Sequence, residues 1–302
     1  MTPHFKVKFC LLLLLFPFFS CKKYTEDIHY KNETSETLQQ SATTSTSTFA
    51  HPSHIIFVWF ENKKYSSIVG SSNAPYINSL IAKGTLFTNM HAVTHPSYPN
   101  YMDFFGGQSN GITSDACISG TPFSTPNLYV ELLTKAKTFA WYSEDLAFTG
   151  SRRCTNGYYV EKHNPTTVFT NVPKSQNKRF ADFPTDYTKL ENVVCISPNL
   201  LNDMHDGSVL RGDQWLKTHL SSLAEWCRTH NSIFVVYFDE NDGTSGNQIP
   251  AIAIGQPVKV NYKHITYEDH YNWTRTICAM FYAPSSWTTN LSSRSNITGC
   301  WQ

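Results

Sequence analysis

The sequence predicts an α/β protein, a three-layer α/β/α sandwich around a mostly parallel central sheet. Two observations lead there. Ile55 to Phe60, Val193 to Ile196, Ile233 to Phe238 and Ile249 to Ile254 are continuous apolar runs of strand length. Without polar alternation, they have the character of strands covered on both faces. Segments with apolar residues at helical spacing lie between them, and strands alternating with helices pack as a sheet between two helical layers.

Taken in chain order, the first feature is not part of that sandwich. Lys6 and Lys8 precede an apolar run from Cys10 to Phe19, then Ser20 and Cys21. The run is too short to cross a membrane and has the layout of an export signal. A small residue before Cys21, with Lys22 and Lys23 after it, resembles a bacterial lipoprotein cleavage site. Residues 1–21 are therefore read as a lipoprotein-type signal with Cys21 as the acylated residue. The protein is expected at the cell envelope, held to a membrane by lipid; an ordinary cleaved signal and a secreted protein is the alternative. Residues 22–51 are polar and rich in Ser and Thr. They cannot bury enough apolar surface to order themselves and are read as a disordered tether. Residues 52–302 form the folded domain.

Within it, Ile55 to Phe60 is the first strand. Ala74 to Lys83 is a helix, with Gly84 as its C-terminal stop. Leu128 to Lys137 is a second helix, followed by the strand Val193 to Ile196. Val209 to Arg228 is the longest helix, with Leu210, Trp215, Leu216, Leu220, Leu223 and Trp226 on one side. The strands Ile233 to Phe238 and Ile249 to Ile254 come next, and the helix His270 to Tyr282 closes the series.

Composition narrows the function classes. Lys plus Arg is 24 and Asp plus Glu is 23, a balance that gives no electrostatic reason to expect nucleic acid. Of 8 cysteines, setting aside Cys10 and Cys21 leaves six, with no CxxC spacing, which removes a zinc ribbon. Export into an oxidising compartment suggests disulfides. Sequence leaves the connectivity open; Cys278 with Cys300 is the preferred pair, since it would tie down the C-terminal tail.

Ligands of open α/β sheets sit beyond the carboxyl ends of the strands. Two strands here end in paired oxygen-bearing residues, Glu61-Asn62 and Asp239-Glu240. Three carboxylates and an amide converging on one point need a cation, and oxygen donors suit calcium, magnesium or manganese. The plainer reading of either pair alone is a solvated acidic turn. Ser97 stands in Thr94-His95-Pro96-Ser97-Tyr98-Pro99-Asn100-Tyr101, ahead of an apolar segment that could open a helix. A hydroxyl there would face free N–H groups and the positive end of the helix dipole, a ready phosphate site, with Asn100 able to donate to a phosphoryl oxygen. The plainer reading is an N-cap serine. Ser197 to Gly207 also follows a strand and offers Asp203, His205 and Asp206. Glu268-Asp269-His270-Tyr271 and Lys162-His163-Asn164-Pro165 add two more histidines. His205 and His270 stand beside carboxylates that could orient them.

"FVWFEN", "HPSYPNY", "KHNP", "SPNLLNDMHDG", "FDENDG" and "EDHYNWTRTI" occur in that order. Together, from about His54 to Ala283, they resemble the phosphoesterase family of acid phosphatases and phosphatidylcholine-type phospholipases C, within the alkaline phosphatase superfamily. The resemblance implies a metal bound by Glu61, Asn62, Ser97, Asp239 and Glu240, and Ser97 as a nucleophile that becomes a phosphoserine. It implies a transition-state role for Asn100 and places His163, His205 and His270 near the phosphate. Asp203 and Asp206 fall in a family motif, as outer-sphere groups or ligands of a second metal. Glu61 and Asp239-Glu240 depart from the ligands of two-zinc members, which points to a single divalent ion, calcium, magnesium, manganese or zinc. The expected activity is a metal-dependent phosphomonoesterase of the acid-phosphatase type on a small phosphate ester or a phospholipid headgroup. A phospholipase C-type phosphodiesterase is the alternative, and a non-catalytic surface-binding lipoprotein a second one.

Overall fold

The first apolar run is β1 (His54–Phe60), followed by α1 (Tyr65–Ile68), α2 (Pro75–Ile81) and β2 (Gly84–Phe87). Then come α3 (Ser97–Gly106), α4 (Leu128–Leu133), β3 (Phe139–Ser143), the hairpin β4 (Thr155–Asn156) and β5 (Tyr159–Val160), and β6 (Asn177–Arg179). The chain continues through β7 (Val193–Ser197), α5 (Val209–Cys227), β8 (Ser232–Phe238), β9 (Ala251–Gly255), β10 (Tyr262–His264), α6 (His270–Met280) and α7 (Thr289–Ser292). This computed structural model describes residues 49–302 except Ser245. The predicted signal, Cys21 and nearly all of the tether lie outside the described residues.

Eight strands form one sheet in the order β10-β2-β9-β8-β1-β7-β3-β6. β8, β1, β7, β3 and β6 run parallel, as do β10 and β2, while β9 is antiparallel to both β8 and β2. All four apolar runs are strands, as predicted, and their residues are buried nearly throughout. α2 packs on α5, α5 lies against β8 and β9, and α3 packs on α6, the helical layers of the expected sandwich. Aromatic rings fill the space between β1 and the α3–α6 layer. Phe57 meets Phe104 and Trp273 edge-on, each at 5.1 Å between ring centres. Such contacts add about 0.5–1.5 kcal/mol each beyond the area they bury.

Three expectations change. Gly84 is not a helix stop but the first residue of β2. A Cβ there would sit 2.0 Å from the Ala253 carbonyl oxygen, so only glycine lets β2 and β9 approach. β9, the last of the four predicted strands, begins at Ala251 rather than Ile249, because Pro250 has no N–H to give a ladder. The disulfide is Cys117–Cys154, closing 37 residues, whereas Cys278 and Cys300 are buried free thiols. The C-terminal tail is held by backbone instead: Lys259 N–H donates to Cys300 C=O at 2.9 Å and Gln302 N–H to Pro257 C=O at 3.0 Å. Cys278 and Cys300 serve as small apolar side chains in the core.

Candidate active site

Side chains alternate along a strand, so Phe57 and Trp59 of β1 face the same way as Glu61 directly after it. Phe57 and Trp59 point into the α3 layer, which sets Glu61 under the start of α3. Trp59 is in register with Tyr237 on β8, and two residues on from Tyr237 comes Asp239, on the same face. The two strand-end acids are thereby neighbours without any special loop. Asn62 takes a left-handed turn, φ 49°, a conformation asparagine tolerates better than most residues. Its N–H donates to Asp239 Oδ1 at 3.2 Å.

Ser97 is the first residue of α3, a helix buried along its whole length. Its Oγ lies 2.9 Å from Glu61 Oε2 and 2.9 Å from Glu240 Oε1. Two carboxylates thus compete for one hydroxyl proton. Tyr101, one turn further on, donates its hydroxyl to Glu61 Oε1, and His95 Nδ1 contacts Glu240 Oε2. The predicted free N–H groups at this helix start are partly engaged: Tyr98 N–H donates to Asp115 at 3.0 Å.

Asn100 is not turned toward the acids. Its Oδ1 accepts from Val93 N–H at 3.1 Å and Thr94 N–H at 3.0 Å, and its Nδ2 donates to Thr94 C=O at 2.9 Å and Pro96 C=O at 3.2 Å. The amide is spent on folding the loop that presents Ser97. His270 is likewise behind the site: fully buried, it lies 2.7 Å from Tyr237 Oη through Nδ1 and 2.7 Å from the Asp239 carbonyl through Nε2. Burial pushes its imidazole down to about 4. A neutral ring with Nε2–H donating to the carbonyl and Nδ1 accepting from the phenol satisfies both contacts. His270 is thus held against the backbone of Asp239.

The other two histidines do reach the site. His163 stacks on Tyr101 at 5.2 Å, with Nε2 3.1 Å from Glu61 Oε1 and Nδ1 3.3 Å from Asp203 Oδ2. Asp203 arrives because its carbonyl accepts from Glu61 N–H at 2.8 Å, and its Oδ1 accepts from His205 N–H at 2.8 Å. His205 is more open to solvent, its Nδ1 held 2.7 Å from Asp206 Oδ1. Asp206 is exposed and pairs with His205. Lys162 lies at the rim, 2.6 Å from Asp115. Burial works against its charge, but Glu61, Asp115 and Asp239 outweigh it and hold the ammonium above its ordinary value. His95, Tyr101 and Lys162 were not singled out as site residues from the sequence, although each lies inside a quoted motif.

The electrostatics call for a cation. Burial, then the charge of Asp203, raises Glu61 to about 8. Asp203, Asp239 and Glu240 are all raised, burial being the largest cause for each. Asn62 Oδ1, Asp203 Oδ2, Asp239 Oδ2 and His163 Nε2 are buried without a hydrogen-bond partner. An unmatched buried polar atom costs about 1–3 kcal/mol, and a cation at this pole would offset that cost for its oxygen acceptors. One ligand atom each from Glu61, His163 and Asp203 lies within 4.8 Å of the others. Burial also pushes His163 well down, leaving the neutral imidazole a metal needs. The residues fit a divalent metal, with a nitrogen donor that widens the choice beyond the hard ions toward zinc.

Comparison with known proteins gives the family. The model of the Phosphoesterase family matches residues 58–284. The chain is 41% identical over 256 residues to a phosphatidylinositol-3-phosphatase of Mycobacterium tuberculosis, covering 83% of this chain and 84% of that one. It is 29% identical over 247 residues to an acid phosphatase of Aspergillus fumigatus, covering 76% of this chain but only 54% of the longer fungal protein. Among solved structures, it resembles an alkaline phosphatase superfamily protein from Vibrio parahaemolyticus with a TM-score of 0.53 at 14% identity, covering 78% of this chain and 67% of that one. A phosphonate monoester hydrolase from Silicibacter pomeroyi superposes with a TM-score of 0.52 at 10% identity, over 77% and 74% of the two chains. At such identities these two speak for the fold alone. With a buried serine between two acids, a polar cluster suited to a metal, and relatives named as phosphatases, the chain belongs to the Phosphoesterase family and is a hydrolase of phosphate esters.

Proposed function

We propose that the protein is a metal-dependent phosphomonoesterase that works through a phosphoserine on Ser97, with a phosphorylated headgroup or small phosphate ester as substrate. The observation that carries this is Ser97 Oγ, 2.9 Å from both Glu61 and Glu240 at the start of a buried helix. Glu61, Asn62, His163, Asp203, Asp239 and Glu240 would hold a divalent ion, which when bound supplies Lewis-acid stabilisation of phosphoryl charge. Ser97 passes its proton to one of its two carboxylate partners as Oγ attacks phosphorus. The bond to the leaving oxygen breaks, and His205, fixed by Asp206, gives that oxygen a proton. Water then cleaves the phosphoserine, releasing phosphate and restoring the hydroxyl. His163, neutral and buried, is a ligand rather than the acid. Lys162 offers an ammonium to the phosphoryl oxygens. The identity to a phosphatidylinositol-3-phosphatase over most of both chains supports a monoester on a lipid headgroup over a phospholipase C-type diester.

An exported, lipid-anchored location is part of this reading. It is supported by the signal ending at Cys21 and by the Cys117–Cys154 disulfide, a bond that persists in oxidising compartments. The test is hydrolysis of para-nitrophenyl phosphate and of bis(para-nitrophenyl) phosphate by the metal-loaded and the chelated protein. Monoester turnover that exceeds diester turnover and disappears on chelation is expected. A clear diester preference would transfer the protein to the phosphodiesterase reading.

A further inference from the structure

The start of α3 is occupied by an acid that the mechanism does not use. Asp115 lies on the connection between α3 and α4. Its Oδ1 accepts from Tyr98 N–H at 3.0 Å, and its Oδ2 lies 2.6 Å from Lys162 Nζ. Tyr98 directly follows Ser97, so its N–H belongs to the first turn of the helix, where free N–H groups and the dipole favour an anion. Lys162 directly precedes His163 and feels the charges of Glu61 and Asp239. The charge of Asp115 reaches Glu240 as well, where it adds to burial in raising that carboxyl. A carboxylate thus stands beside a pole already rich in acids, paired with two donors next to the nucleophile.

The chain pins it there. Cys117, two residues on, is bonded to Cys154, and the Cys154 carbonyl accepts from Glu161 N–H at 2.9 Å, next to Lys162. The strap that carries Asp115 is therefore fastened to the segment that carries Lys162. A short tether gives the carboxylate a high effective concentration at its two donors. The Asp115 side chain is 35% exposed and that of Lys162 13%, so the acid can turn into solvent while the ammonium stays at the site. A phosphoryl group on Ser97 Oγ needs the same partners. Tyr98 N–H is a single donor, and two anions crowding one ammonium repel each other, so one displaces the other.

We propose that Asp115 is an internal competitor for the phosphoryl site: it holds Tyr98 N–H and Lys162 in the resting protein, is displaced when a phosphate group binds at Ser97, and returns as phosphate leaves. It sets the affinity for the phosphoryl group and takes no part in making or breaking bonds. Inorganic phosphate is the last species to leave, so the exchange favours product release. The proposal rests on the phosphomonoesterase reading for where the phosphate sits. The opposite role, a fixed support that holds Lys162 for the substrate, carries the opposite sign.

Calorimetric binding of inorganic phosphate to the metal-loaded protein separates the two roles without turnover. Asp115→Asn keeps an acceptor for Tyr98 N–H and removes the charge, and its Kd for phosphate should fall by about tenfold. Asp115→Ala should also bind phosphate more tightly, and it keeps the result readable if the first variant folds poorly. In a Lys162→Met background the gain from Asp115→Asn should shrink to about threefold or less, since one of the two contested donors is gone. A Kd in the folded Asp115 variants that equals or exceeds that of wild type overturns the competitor, as does a gain undiminished in Lys162→Met. If no phosphate ester is turned over but phosphate binding tightens in Asp115→Asn, the phosphomonoesterase reading fails and the competitor stands. Turnover with an unmoved phosphate affinity leaves that reading intact and ends the competitor. Absence of phosphate binding in wild type and variants alike ends it too.

Discussion

Glu61 shows how the site is built at the scale of a residue. It accepts from Ser97 and Tyr101, lies 3.1 Å from His163, and its backbone is tied to Asp203. The crowding of acids around it is unfavourable until a cation is present, since like charges in a buried site cannot all ionise. Two consequences of opposite sign follow for Asp203→Asn. The metal-free variant should melt higher than metal-free wild type, because one buried carboxylate is gone. Its midpoint should then rise less on addition of divalent metal. Wild type at a hundred times the metal Kd should gain about 2.7 kcal/mol. Thermal melts with and without metal give both quantities. An equal metal response in variant and wild type would place the ion elsewhere.

At the scale of elements, the site depends on one turn, the loop from Val93 to Pro96 that delivers Ser97 to the start of α3. Asn100 holds that loop through four backbone contacts. Asn100→Ala should therefore cost about 1–3 kcal/mol of stability, seen as a lower urea midpoint. Turnover should fall with it, because the loop no longer fixes the hydroxyl. A variant of full stability that has lost turnover would restore the transition-state role that the resemblance implied for this residue. Asp103 of α3, which accepts from the Tyr271 hydroxyl at 2.7 Å, has its own signature. Its folded carboxyl is raised to about 7 from an ordinary value of 3.8. Between those values the folded state keeps a proton that the unfolded chain has lost, so stability falls as pH rises from about 4 to about 7 and is level above. Each unit of the difference corresponds to about 1.4 kcal/mol. Asp103→Asn removes the penalty while leaving an oxygen for Tyr271, so the variant should gain on wild type as pH rises through that window. Urea unfolding at pH 4.5 and pH 8 measures the gain, and parallel profiles would show that Asp103 is not held protonated.

At the scale of the whole molecule, the sheet and the strand-end acids were legible in the sequence for a physical reason. Strands covered on both faces must be apolar throughout, and polar residues directly after them stand out. Glu61-Asn62 and Asp239-Glu240 are visible by that contrast. β3 was hidden because Phe139–Ser143 follows directly on a helical pattern, with Ala136 turning at φ 53° between the two. Short edge strands such as β6 and β10 leave too few residues for any period to show. Disulfide pairing is a fact of three dimensions, so Cys117 and Cys154 could not be told from Cys278 and Cys300 by spacing. The surroundings of Asn100 and His270 were not legible in the sequence, because an amide or an imidazole declares its contacts only through what it meets on both sides. Here those partners were loop backbone for one and a phenol and a carbonyl for the other. His95, Tyr101 and Lys162 were inside the motifs but lacked any composition signal of their own.

The most direct measurement is turnover of para-nitrophenyl phosphate by Ser97→Ala beside wild type, both metal-loaded and with thermal midpoints checked. Ser97 Oγ is the one nucleophilic group proposed, and its loss should reduce kcat by about three orders of magnitude or more while the midpoint and the metal response persist. A folded, metal-responsive Ser97→Ala protein that hydrolyses the ester at a rate near wild type would contradict the serine mechanism.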